Sequence, residues 1–268
     1  MTNVKVQCPA KINLGLKVIN KRKDGFHNIE SVMQTISLYD YLIITMIESD
    51  KNEVHLEGDS KEIPYDNTNL VYKAAMLFLN TVNIGYKSIF IYIEKNIPIS
   101  AGLAGGSTDA AGTIYGLNKL AGDILSDGEM HKLCSKLGSD LNVCLKGGCL
   151  KTSGRGEIIE PLEFEAFNIS LIKPVNLGIS AKEAYTKFGV KIRNNANSET
   201  RKEYVNDLEW AIIDDYKELQ YIKSNLPNSV MSGSGSTYFV LEDVKKEFPE
   251  EYQIIKKLHF ITDGCTVN

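Results

Sequence analysis

The most unusual run in the chain is Pro98-Ile99-Ser100-Ala101-Gly102-Leu103-Ala104-Gly105-Gly106-Ser107-Thr108-Asp109-Ala110-Ala111. It follows an alternating apolar segment, KSIFIYIEK, and leads into an alanine-rich helical stretch that reaches about Leu120. Glycines tolerate positive φ and let backbone N–H groups come close to a ligand, because no Cβ stands in the way. A helix start adds unsatisfied N–H groups and the positive end of the macrodipole. Together these suit an anion such as a polyphosphate. Ser107, expected to open the helix, would cap it or offer its hydroxyl to a phosphate-bound Mg²⁺. The same residues would also serve a plain strand-to-helix turn, with Ser107 capping and Asp109 complementing the dipole. No lysine precedes Ser107, so this is not a Walker A loop, and the spacing of a dinucleotide fingerprint is missing. Another residue must therefore act on a transferring phosphoryl group.

Two ionisable residues are candidates. Lys11 sits in a strand pattern between Ala10 and Ile12, where a lysine is out of place unless it points at something. Asp140 follows Gly138-Ser139, expected at the end of one helix and the start of a strand, where the macrodipole does not favour an anion. In phosphoryl transfer a carboxylate accepts the acceptor hydroxyl's proton and a lysine stabilises developing negative charge. Taken singly, each also reads as a surface lysine and a loop aspartate. The run Ser232-Gly233-Ser234-Gly235 reads either as a turn or as a close approach to a ligand or another backbone.

The elements that would position these residues alternate strand and helix. Strands are expected over 3–18, Thr35–Met46 and Val54–Leu56, a helix from Asn67 to Val82, and a strand at KSIFIYIEK. A helix over 127–137 should end at Gly138 and be followed by a strand to Lys151. Beyond Gly154-Arg155-Gly156 come a strand at Ile169–Ile172, a helix after Ser180, a polar stretch from Arg193 to Glu203, one long helix over 207–224 and a strand at Tyr238–Leu241. The simplest organisation is two α+β lobes, 1–158 and 159–268.

Composition excludes several classes. The 268 residues carry 34 acidic and 30 basic side chains, net −4, which argues against a nucleic-acid partner held by phosphate neutralisation. Apolar stretches such as Tyr41–Ile47 fall far short of the roughly 20 residues that span a bilayer. The start of the chain, MTNVKVQCPAKIN, has lysines where a signal peptide needs an apolar centre. Five scattered cysteines without a CxxC pair read as reduced, buried thiols. A cytoplasmic location is expected. No exposed apolar seam is legible in either lobe, so the oligomeric state stays open.

Three motifs in order, PAKINLGL at 9–16, PISAGLAGGSTDAA at 98–111 and MSGSGST at 231–237, make the sequence resemble the GHMP small-molecule kinases. DGFHNIESVMQTISLYD at 24–40 and GRGEIIEPL at 154–162 narrow the resemblance to the branch acting on a cytidine diphosphate-linked polyol of isoprenoid precursor synthesis. The resemblance covers nearly the whole chain. It implies an α+β fold with an amino-terminal ATP-binding lobe, like ribosomal protein S5 domain 2, and a ferredoxin-like carboxy-terminal lobe. It implies ATP and Mg²⁺, with the triphosphate along Pro98, Gly102, Leu103, Ala104, Gly105, Gly106 and Ser107. By position, Asp140 matches the catalytic base and Lys11 the lysine beside it. Asn13 matches a polar residue lining the substrate and His27 a residue that hydrogen-bonds the cytosine, with Phe26 and Tyr185 sandwiching that ring. The chain departs from the family with Phe26 for a usual tyrosine, Leu141-Asn142-Val143 after Asp140, Ala104 for a frequent glycine, and Ser236 for a common alanine. Acceptors such as mevalonate, homoserine or a sugar, which need no cytidine pocket, and a non-catalytic nucleotide sensor are the competing expectations.

Overall fold

The computed structural model describes residues 3–194 and 198–267. Two long strands, β1 (Asn3–Lys21) and β2 (His27–Glu48), form an antiparallel hairpin through the Arg22–Phe26 turn, where Gly25 has φ +89°. Both outrun the expected strands, and β1 continues past Val18 to Lys21. β3 (Glu53–Gly58) pairs parallel to β4 (Lys87–Glu94), which pairs β2. β5 (Cys149–Ser153) joins the other half of β2, and β6 (Ile158–Leu162) pairs β5.

Alternation along these strands sends Val4, Val6, Cys8, Leu42, Ile44, Ile89, Ile91 and Ile93 to one face. There they pack under α1 (Leu70–Thr81), α2 (Gly105–Leu120), α3 (Asp127–Leu137) and α4 (Leu141–Lys146). α2 lies close enough that a Cβ at Gly112 would sit 2.3 Å from Cys8 Sγ and one at Gly116 2.7 Å from Val6 Cγ2. All five cysteines are buried free thiols. The opposite face leaves Ile43, Ile47, Phe90 and Tyr92 more than 40% exposed, so the sheet does carry the apolar surface that the sequence did not disclose.

The second sheet has the strand order β10-β7-β9-β8, all antiparallel, from β7 (Asn168–Pro174), β8 (Val230–Met231), β9 (Tyr238–Val240) and β10 (Tyr252–His259). In order of appearance this is 4-1-3-2, the ferredoxin-like arrangement. The first crossover carries α5 (Ala181–Arg193), α6 (Ser198–Lys202), α7 (Asp207–Ile212) and α8 (Lys217–Asn225); the second, 241–251, contains no helix. The expected single helix over 207–224 is broken by a 3₁₀ turn at Ile213–Asp215. Gln220 Nε2 donates to the carbonyls of Ile213 and Asp214 there. The polar stretch Arg193–Glu203 is partly helical, and 195–197 lie outside the described residues. The chain closes with β11 (Thr266–Val267) on β1, so the first sheet includes β6, which runs across the expected 158/159 boundary, and β11, which lies well beyond it.

Candidate active site

The three motifs meet at one backbone carbonyl. Gly102 O accepts from Lys11 Nζ at 3.2 Å and from Ser232 Oγ at 2.9 Å. Ser232 Oγ also accepts from Asn13 N at 3.2 Å. Such proximity requires bare backbone: at Gly102, with φ +76°, a Cβ would sit 2.0 Å from Ser232 O. At Gly233, with φ +55°, it would sit 3.1 Å from Asn13 Oδ1. Asn206, the N-cap of α7, adds a brace by donating to the carbonyls of Met231 and Gly233.

Lys11 is on β1 with its side chain 4% exposed. Its ammonium donates to Asn13 Oδ1 at 2.7 Å and lies 3.2 Å from Asp140 Oδ2. Asn13 in turn donates to Ser31 Oγ at 2.9 Å. Asp140 is the N-cap residue of α4, without a side-chain capping bond. The expectation of a strand after residue 140, with an anion at an unfavourable helix end, is therefore corrected: Asp140 opens a helix. The six residues Leu141–Lys146 are an apolar run too short for periodicity to separate helix from strand.

The glycine loop also differs from expectation at its cap. α2 begins at Gly105, and its N-cap is Ala104, left-handed at φ 61° with no side-chain cap. Ser107 is the third helical residue, not the cap, and its hydroxyl has no partner among the described residues. The first helical bond is Thr108 N to Ala104 O at 2.9 Å. The N–H groups of Gly105, Gly106 and Ser107 thus have no intrahelical acceptor and are available to a ligand. A Cβ at Gly106 would meet nothing within 4 Å, so this end of the helix is open.

Beneath the loop lies a cluster that spacing gave no reason to expect. Lys95, at the end of β4, pairs with Asp40 and with Asp109 Oδ2 at 2.8 Å, and all three side chains are at most 5% exposed. Asp40 Oδ1 also accepts from the backbone of Asn96 at 2.6 Å and Ile97 at 2.8 Å, fixing the strand exit. Asp109 faces inward rather than complementing the dipole, and its Oδ1 has no partner. Burial pushes its carboxyl up to about 7, with Lys95 opposing and Asp40 reinforcing the shift.

A single cavity of about 1250 Å³ takes in Lys11, Asn13, Asp140, Pro98, Gly102, Ala104–Ser107, Phe26, His27 and Tyr185. Leu103 is buried behind it. His27 lies flat on Tyr185, ring centroids 4.9 Å apart and planes 13° apart, with Phe188 edge-on at 6.5 Å. Of the two rings expected to flank the cytosine, Tyr185 stacks on His27 and Phe26 carries the Arg155 guanidinium 4.9 Å from its ring centroid. Burial, followed by the charge of Lys21, pulls the His27 imidazole below its usual value. Neither of its ring nitrogens is hydrogen-bonded among the described residues. Burial raises the Tyr185 phenol, reinforced by Asp140 and Asp207. Arg155, which falls within the GRGEIIEPL motif, also lines the cavity, as do Arg201, Lys95 and the apolar Ile63, Leu70 and Ile97, which no sequence motif singled out.

No group of three His, Cys, Asp or Glu side chains able to hold a metal ion occurs among the described residues. Among the described residues no helix is long and apolar enough to cross a membrane.

Residues 69–148 match the GHMP kinases N terminal domain. The 4-diphosphocytidyl-2-C-methyl-D-erythritol kinase of Prochlorococcus marinus strain MIT 9301 is 36% identical over 298 aligned positions, covering 98% of this chain and 94% of the relative. That of Clostridium botulinum strain Hall is 39% identical over 254, covering 87% and 89%. A crystal structure of 4-(cytidine 5'-diphospho)-2C-methyl-D-erythritol kinase superposes with TM-score 0.71 at 29% identity, covering 89% of this chain and 90% of the other. The mevalonate kinase of Methanococcus jannaschii shares the fold, with TM-score 0.67 at 15% identity over 97% of this chain and 98% of its own. The chain belongs to the 4-diphosphocytidyl-2-C-methyl-D-erythritol kinase family of the GHMP kinases.

Proposed function

We infer that the protein transfers the γ-phosphoryl group of ATP to the 2-hydroxyl of 4-diphosphocytidyl-2-C-methyl-D-erythritol, a step of isoprenoid precursor synthesis in the cytoplasm. The observation that carries this reading is the placing of Lys11 and Asp140, 3.2 Å apart, in the same cavity as the open start of α2 and the His27–Tyr185 stack.

In this reading the free N–H groups of Gly105, Gly106 and Ser107 receive the triphosphate, in line with the helix macrodipole. The apolar side chains of Ile63, Leu70 and Ile97 offer a surface for the purine. Asp140 accepts the proton of the attacking hydroxyl and aims its oxygen at the γ-phosphorus. Lys11, held by Asn13 Oδ1 and Gly102 O, compensates the charge that grows on the transferring group. His27, neutral at physiological pH, has one donor and one acceptor nitrogen for the cytosine edge, and Phe26 offers a stacking face.

The residues present fit a Mg²⁺ ion held mainly by the nucleotide. Ser107 has an unengaged hydroxyl and Asp140 a partly exposed carboxylate, both hard oxygen donors. Such an ion supplies neutralisation of phosphate charge. The two sheets are proposed to act as two lobes, with the cavity lined from both.

The test is ADP release from Mg-ATP with purified protein, offering 4-diphosphocytidyl-2-C-methyl-D-erythritol beside mevalonate, homoserine and galactose. Turnover with the cytidine compound alone is expected. Turnover with another acceptor instead overturns the acceptor assignment, and ATP binding without turnover on any of them overturns the kinase reading.

A further inference from the structure

We propose that Arg155 is a positioning residue for the acceptor: it fixes the Phe26 ring as the stacking wall of the cytidine pocket. The inference rests on the acceptor reading above.

Phe26 needs such support. It sits in the hairpin turn between β1 and β2, is 52% exposed, and belongs to none of the protein's hydrophobic clusters. Its backbone is ordered by Arg22 N donating to Phe26 O at 2.8 Å and Phe26 N donating to Asp24 Oδ1 at 3.1 Å. Those bonds fix the turn, not the ring. A half-exposed phenyl group keeps rotamer freedom that a stacking ligand must take away, and that entropy is subtracted from affinity.

Arg155 supplies what the turn does not. It lies in the tight turn between β5 and β6, which is held beside the first hairpin by Ile29 N donating to Gly154 O at 2.8 Å. Its guanidinium is itself anchored: Nη2 donates to Ser135 O at 3.3 Å and Nε lies 3.6 Å from Glu157 Oε1. Glu157 Oε2 in turn accepts from Arg155 N at 2.6 Å. The fixed cation lies over the Phe26 ring, Cζ to centroid 4.9 Å. A guanidinium on one face of a phenyl ring restrains it and leaves the other face for a second planar group. Both residues line the cavity. The opposite side repeats the device, with Arg201 over Phe188 at 5.1 Å and paired to the buried Asp207. A pocket whose two phenyl rings are each backed by an anchored guanidinium is built for a flat ligand.

The test is a double-mutant cycle on Arg155→Ala and Phe26→Ala, reading binding of cytidine diphosphate and of cytidine by calorimetry and the KM and kcat for the acceptor. Arg155→Ala is expected to weaken both cytidine ligands equally, by about threefold to fivefold. It should raise acceptor KM to match, with kcat and ATP affinity retained. In the Phe26→Ala background it should cost nothing further, because coupled residues give non-additive changes. Arg155→Lys, which keeps a cation without the planar fork, should recover part of the loss. An equal cost in the Phe26→Ala background, or a loss confined to cytidine diphosphate, overturns the inference and makes Arg155 a phosphate contact. Unchanged binding of both ligands overturns it as well. Failure of the acceptor reading would show separately, as absence of turnover by the unsubstituted protein.

Discussion

Lys11 Nζ lies 3.2 Å from Asp140 Oδ2, joining the first strand of the chain to the cap of a short helix 129 positions later. The ammonium is buried and the carboxylate is 30% exposed, so the pair shows its acidic partner to the cavity and keeps its cation behind. That arrangement suits a proton acceptor backed by a charge stabiliser. Replacing Lys11 by Met should leave the fold cooperative but lower kcat by about 10²-fold or more, as loss of one preorganised electrostatic contact does. Turnover measured at saturating ATP and acceptor checks this.

Gly102→Ala and Gly106→Ala should separate structure from binding. At Gly102 a Cβ meets Ser232 O at 2.0 Å on a positive-φ backbone, so the variant should lose about 1–3 kcal/mol of stability. At Gly106 there is open space, so thermal unfolding should be unchanged while ATP KM rises, because the added methyl group occupies the ligand's side of the helix start. Calorimetric unfolding beside ATP titration distinguishes the two.

These glycines show what the chain discloses by itself. Pro98–Ala111 was readable because a glycine loop before a helix has a physical reason for its residue types, and Lys11 because a lysine inside an apolar strand demands a destination. Asp140 was readable as a residue but not in its setting, since six residues of α4 carry less than two helical turns of pattern. Lys95 was not readable: its meaning comes from Asp40 and Asp109, brought to it from β2 and α2 by tertiary packing. The His27–Tyr185 stack was not readable for the same reason, since which ring covers which is decided by how α5 packs on the first hairpin. β11 has two residues and no periodicity to detect.

His27 gives a pH dependence. Burial and Lys21 hold its imidazole below the ordinary value of 6.5, so it is neutral at pH 7 and gains a proton only in more acid solution. Acceptor KM should be flat from neutral pH down to about 6.5 and rise below it, as protonation removes the acceptor nitrogen. His27→Asn should bind more weakly throughout and lose this acid limb. Acceptor KM measured from pH 5 to 8 decides the matter.

Asp109 gives the opposite sign, in stability. Its folded value of about 7 lies above the ordinary 3.8, so the native state holds the proton more tightly than the unfolded chain. Its contribution is fully present below the unfolded carboxylate range and is lost as pH rises through about 7. The unfolding temperature should therefore fall between pH 5 and pH 8, and Asp109→Asn, which has no such proton to lose, should show a shallower decline.

The most direct test of the site is Asp140→Asn, assayed for acceptor turnover and for ATP binding. The geometry predicts that kcat falls by about 10²–10⁴-fold, the usual cost of removing a general base. ATP affinity should stay within about twofold, because the loop N–H groups are untouched. Near-normal turnover would remove the carboxylate from the reaction and contradict the account.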